Sequence, residues 1–359
     1  MSKVYIILEN GKSFGGESFG AEGSVIGELV FTTGVVGYVE TLSDPANASQ
    51  IILHTFPQIG NYGVMPEDFE SGNCHAQAII VRDFCETPSN FRSNGNIASL
   101  LKERGVVGVC GVDTRELTRI IRDEGSMRAA IVSEFPADTS VLFNTPANTG
   151  LVSQVSTKET YICAPEGGDA KYKVALIDYG VRRSIITKLL DCKCSVTVYP
   201  HDTAAETILT DKPDGILLSG GPGDPAENAA CIEIVKKLMG ELPIFGIALG
   251  HQILALAAGA KTEKLLCGHH GSNAPVRELS SSKVYITNQN HCYTVNTESF
   301  AQGKATQTYV NLNDASNEGL EYPNEHAFSI QFYPDTSVGT GENGLFFDKF
   351  LKLMDGGAM

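Results

Sequence analysis

The chain changes its hydrophobic period near its middle. Up to residue 150 the apolar positions mostly alternate or form short runs. "KVYIILENGKSFGG" predicts a strand, a turn at Asn10-Gly11 and a second strand, and "GELVFTT" and "SQIILHTF" read as further strands between Gly, Asp and Pro punctuation. Helical spacing appears in "IASLLKERG" and in "VDTRELTRIIRDEG". In the second, Asp113 and Thr114 are cap candidates, and Leu117, Ile120 and Ile121 fall on one inward face. An α+β domain over 1–150 is expected.

Around 147–172 the chain is rich in Thr, Ser and Gly and sustains no period, so 151–172 reads as a linker. Beyond it, strands and helices take turns. "KVALIDYG", "CSVTVYP", "DGILLSGG" and "PIFGIAL" are short buried strands; "RRSIITKLL", "TAAETILT" and "NAACIEIVKKLMGE" are helices between them. That order predicts a doubly wound α/β domain over 173–359, its ligands at the C-terminal ends of parallel strands.

Composition narrows the function classes. A chain of 359 residues with 42% hydrophobic content can bury the cores of two domains. Its 27 basic and 42 acidic residues leave a net charge of -15, which argues against nucleic acid or an anionic membrane as partner. The nine cysteines include one C-x-C pair, Cys192 and Cys194, and no paired C-x-x-C sets, so neither a disulfide framework nor a zinc site is signalled. With no signal-like N-terminus and no long apolar run, the expected compartment is the cytoplasm.

Candidate chemistry sits at two strand ends. "SGGPGDP", Ser219–Pro225, puts glycines where backbone must approach a ligand or take positive φ, although the same residues make an ordinary turn. About 25 residues on, "GIALGHQ" runs from strand to helix through Gly246 and Gly250, the spacing of a nucleophile elbow, yet the tip residue is Ala248.

Together these two motifs resemble class I (triad) glutamine amidotransferases, whose elbow reads G-x-C-x-G-x-Q. The likeness narrows through "GHHGSNAPV" (268–276), "ITNQNHCYTV" (286–295) and "FSIQFYPDTS" (328–337), and in the first half through "GELVFTTGVVGYVETLSDP", "IGNYG", "SNFR" and "DTRELTR". These are similar to the small, glutamine-hydrolysing subunit of carbamoyl-phosphate synthetase over nearly the whole chain. The resemblance implies a cysteine nucleophile at Ala248, a histidine at Tyr333 and a glutamate at Asp335. All three positions are changed.

Alanine cannot form a thioester, and a phenol of pKa near 10 does not replace an imidazole as base at neutral pH. Asp335 keeps a carboxylate with no imidazole to orient. Of the glutamine and oxyanion contacts that the resemblance implies, Gly221, Gly223, the Leu249 backbone, Gln252 and Asn290 are kept. Ala46 stands where the family has a serine, and Cys292 and Tyr293 replace a Gly-Phe pair, which implies an occluded pocket and weakened glutamine binding.

The resemblance therefore implies a small subunit without glutaminase activity. Its partner would be a large subunit that carries ATP and magnesium and uses free ammonia, with no cofactor in this chain; whether pyrimidines or arginine are served stays open. Two alternatives stand beside it: an active glutaminase engineered at Ala248, and a stand-alone ligand-binding protein. A nucleophile relocated to Cys292 is disfavoured, because His291 beside it on an extended segment points to the opposite face. His251, His269, His270 and His291 lack a recognisable metal-ligand spacing. Arg115, Arg119 and Arg122 recur at helical spacing, either as a stripe toward a partner or as a solvated face.

Overall fold

The computed structural model describes residues 2–144, 146–301, 303–334 and 344–357. Contacts divide the chain into two units, one of 1–149 with 265–271 and one of 150–264 with 272–359.

In the first unit the alternating segments close into a barrel. Its strands run Lys3–Leu8, Ser13–Ser18, Val107–Cys110, Ala78–Ile80, Gln50–His54, Val25–Thr32 and Met127–Val132 around the ring. The first two form the expected hairpin, turned through Gly11 at φ 87°, a conformation glycine adopts without cost. Alternate residues of these strands, among them Ile6, Leu8, Ile51, Leu53, Ala78, Ile80, Ala129 and Ile131, join one apolar cluster. The helix Thr114–Glu124 adds Leu117, Ile120 and Ile121 to that cluster, the face its spacing predicts. Asp113 is its N-cap, accepting from the Glu116 N–H at 3.0 Å, and Thr114 is its first residue.

The second unit is doubly wound. Five parallel strands stand in the order Cys194–Pro200, Tyr172–Asp178, Gly215–Leu218, Ile244–Ile247 and Ala327–Ile330. Antiparallel strands Asn317–Tyr322 and Thr306–Asn311 extend the last of them. Side chains alternate between two cores. Ala175, Ile177, Ile216, Leu218 and Ile244 face the helices Ala205–Thr210, Ala229–Leu238 and Leu249–Ala257, while Val174, Leu176, Leu217, Phe245 and Ile247 face Arg183–Asp191 and Gly344–Met354.

The expected linker is not featureless. Leu151–Val155 is a short helix, and Tyr161–Cys163 pairs antiparallel with Cys194–Pro200 at the sheet edge. Three residues are too few to show a period, so backbone pairing along that edge decides their state. Residues 265–271, within the expected C-terminal domain, group with the first unit. Among the described residues no helix is long and apolar enough to cross a membrane.

The two most deeply buried histidines among the described residues are His54 in the first unit and His251 in the second. Burial pushes both imidazoles down from 6.5, His54 to about 4 and His251 to about 3. Below pH 6.5 the unfolded chain therefore binds protons that the folded chain does not, and stability falls as pH drops toward those folded values. Each site withdraws up to about 1.4 kcal/mol per pH unit in that window. Urea denaturation between pH 7 and 4.5 is expected to show this decline, and His251→Gln should flatten it.

Candidate functional site

The strand Ile244–Ile247 ends in the centre of the parallel sheet, where the adjoining strand Gly215–Leu218 also ends. The turn between Ile247 and the helix Leu249–Ala257 is a true elbow. Ala248 at its tip has φ 50° and ψ -107°, a conformation that costs a residue with a Cβ about 1–3 kcal/mol. Its N–H donates to the Ile330 carbonyl at 2.9 Å, and the Gly250 N–H donates to the Ser219 carbonyl at 3.0 Å. The two flanking glycines are required sterically. A Cβ on Gly246 would lie 2.8 Å from the Gly250 carbonyl oxygen, and one on Gly250 would lie 2.3 Å from the Leu218 carbonyl oxygen.

The glycine loop after Leu218 is equally constrained. A Cβ on Gly221 would meet the Tyr179 carbonyl oxygen at 2.2 Å and the Leu249 side chain at 2.9 Å, and Gly223 sits at φ 86°. Elbow and glycine loop are thus packed against each other, with Leu249 buried between them.

What occupies the elbow's neighbourhood is apolar. Ala248 is 2% exposed and shares a cluster with Ile247, Phe332 and Tyr333, itself 3% exposed. The Tyr333 N–H donates to the Asn288 carbonyl at 2.9 Å, which fixes the backbone there. Its ring reaches the glycine loop, since a Cβ on Gly220 would stand 2.9 Å from the phenol oxygen. Arg182, buried at the start of the helix Arg183–Asp191, places its guanidinium 4.5 Å from the centre of the Tyr333 ring. Asp335 lies outside the described residues.

The other predicted positions divide. Gln252, on the elbow helix, spends its amide nitrogen on the Tyr293 carbonyl at 2.7 Å and on Gln331 Oε1 at 2.9 Å, so it ties the helix to two neighbouring segments. Asn290, Cys292 and Tyr293 follow one another on the strand Val284–Asn296; Cys292 is buried, the other two are half-buried. His291 has one ring nitrogen 2.8 Å from the Tyr293 carbonyl and the other 2.7 Å from Gln289 Oε1. Both are engaged, which leaves no imidazole nitrogen directed to the Cys292 thiol. Ala46 belongs to the first unit, in the turn Pro45–Asn47, where its N–H donates to Asp44 Oδ1 at 2.9 Å.

Three residues around the site were not picked out by sequence reasoning. Arg182 stood in "DYGVRRS" as an ordinary helix start, and nothing local marks a guanidinium that stacks on a ring far along the chain. Gln331 is buried completely and bonded to Gln252; "SIQF" offered an alternation of strand residues with one polar interruption, the only signal available. Glu318 is buried completely, with Oε1 accepting from Gln289 at 2.8 Å and from Asn311 at 2.7 Å. Each of these three side chains makes at least one contact with a residue on another segment.

Comparison with known proteins identifies two regions of the chain. Residues 6–131 match the model for the carbamoyl-phosphate synthase small chain, CPSase domain, and residues 175–353 match that for glutamine amidotransferase class-I. A protein of Halalkalibacterium halodurans named carbamoyl phosphate synthase pyrimidine-specific small chain is 44% identical over 98% of this chain and 97% of its own. The carbamoyl phosphate synthase small chain of Listeria monocytogenes serotype 4b is 41% identical over 99% of this chain and 98% of its own. The pyrimidine-specific small chain of Bacillus subtilis is 42% identical over 98% of this chain and 96% of its own.

Proposed function

The chain belongs to the carbamoyl-phosphate synthase small-chain family, and on that premise we propose that it partners the large synthetase subunit without hydrolysing glutamine. The observation that carries this reading is the pair Ala248 and Tyr333. The elbow tip holds a methyl group where a nucleophile is required, and a buried phenol fills the base position beside the glycine loop. Covalent attack on the glutamine amide needs a nucleophilic sulfur or oxygen and a base within hydrogen-bond reach, and this pair supplies neither at neutral pH.

The retained parts support descent from a working site. A strained elbow and glycines that tolerate no Cβ cost stability and serve no purpose in a plain strand-to-helix connection. A single laboratory change at 248 would account for the methyl group but not for Tyr333 or Cys292. In this reading the ATP, magnesium and bicarbonate chemistry belongs to the large subunit, and ammonia enters from solution.

The test is to purify this chain with the large subunit of the same organism and follow carbamoyl phosphate formation from each nitrogen donor. With ammonia the complex is expected to turn over; with glutamine the rate should equal that of the large subunit alone. Synthesis from glutamine as efficient as from ammonia would sink the proposal.

A further inference from the structure

The arginines at 115, 119 and 122 lie on the helix Thr114–Glu124, opposite its buried apolar face. At 100° per residue they fall within an arc of about 60° and span about 10 Å along the helix. They line a groove of about 490 Å³ together with Thr55, Thr114 and Thr118. Arg122 is paired with Asp123 at 2.8 Å, and the helix's last carboxylate, Glu124, is held by Lys12 at 2.7 Å. Arg115 and Arg119 are exposed and enter no ion pair among the described residues.

We propose that this groove docks an acidic segment of the large synthetase subunit, a step that rests on the subunit reading above. Two features favour an extended acidic chain over a compact anion. Two of the three threonine hydroxyls at the groove are already used. Thr118 donates to the Thr114 carbonyl at 2.7 Å, Thr55 to the Thr32 carbonyl at 3.0 Å, and the Asp113 carboxylate occupies the helix N-terminus. The three arginines are also set along the helix over about 10 Å, a spacing that about three extended residues cover. Charge then selects the face. On a chain of net charge -15 an acidic partner segment meets repulsion over most of the surface, so an isolated arginine groove orients the encounter. That same net charge disfavours nucleic acid as the occupant.

The test measures association of the full chain with the large subunit of the same organism at about 50 and about 300 mM salt, for the parent, for Arg115→Glu with Arg119→Glu, and for the Arg115→Gln, Arg119→Gln pair. The parent is expected to bind, more weakly at high salt. Reversal should weaken binding by at least about 10-fold at low salt and flatten the salt dependence, with the glutamine pair in between. Both residues are exposed, and unchanged thermal melts would exclude misfolding. A photo-crosslinker at position 119 should capture a peptide rich in Asp and Glu. Failure of the parent to bind the large subunit would overturn the subunit reading itself. Binding by the parent with no loss on reversal, a cross-linked peptide without acidic residues, or nucleic acid recovered on the cross-linker would overturn the groove assignment alone.

Discussion

Ala248→Cys alone is expected to leave glutamine hydrolysis at background. The thiol would stand at a site 2% exposed inside an apolar cluster, with Tyr333 at the position proposed for the base. The chain's own cysteines show what such surroundings do: burial pushes the Cys194 thiol up to about 12 and Cys231 to about 11. A thiol at 248 would carry a similar burial penalty, opposed by the helix N-terminus it caps, and would have no imidazole to take its proton. Adding Tyr333→His provides an imidazole and removes the phenol from beside Gly220. The double variant is expected to gain at least about 100-fold over the single one, the lower range of general-base catalysis. Asp335→Glu, added third, should give a further rise by orienting that histidine. Because residues of a triad act as a unit, the gain comes with the combination. Ammonia release from glutamine in the complex with the large subunit gives the rates, and mass spectrometry after treatment with a glutamine-analogue electrophile reports the reactivity of the introduced thiol directly. A single variant within about tenfold of the double would show that Tyr333 does not block the chemistry, and the account of the site would fail.

The parts of this protein readable along the chain are those governed by local rules. Asp113 caps its helix because an Asx side chain reaches the N–H three residues on, and Leu117, Ile120 and Ile121 share a face because the helix repeats every 3.6 residues. The elbow was legible for the same reason: Gly246 and Gly250 are needed within one turn, and their spacing is written in a single short stretch. Arg182 against Tyr333 and Gln252 against Gln331 were not legible, since each joins segments that only the sheet order brings together. The edge strand Tyr161–Cys163 was missed because its state is set by the neighbour it pairs with. Position 248 shows the division most clearly. Its residue type follows from the sequence, whereas its burial under the Tyr333 cluster follows from packing contributed by a segment much later in the chain.

If the elbow has kept its geometry while its chemistry has gone, two substitutions two residues apart should act in opposite directions. Gly250→Ala would ordinarily help a helix by about 1 kcal/mol. Here the added methyl would lie 2.3 Å from the Leu218 carbonyl oxygen and 2.6 Å from its carbon, in a strand buried at the sheet centre that has no room to move. Relief requires the helix start to shift, which breaks the bond from the Gly250 N–H to the Ser219 carbonyl. Overpacking and the lost bond outweigh propensity, and a net loss of about 3 kcal/mol is expected. Ala248→Gly removes a methyl from a backbone at φ 50° that glycine adopts freely. Strain relief of about 1–3 kcal/mol is offset by about 0.4–1 kcal/mol of chain entropy and by about 0.8 kcal/mol of lost burial, and the midpoints of these ranges leave a stabilisation of about 0.5 kcal/mol. Urea denaturation of both variants measures the contrast. Equal midpoints for Gly250→Ala and the parent would mean that the helix start is not held against Leu218, and Ala248→Gly melting well below the parent would mean that the tip is unstrained and the elbow geometry has relaxed along with its function.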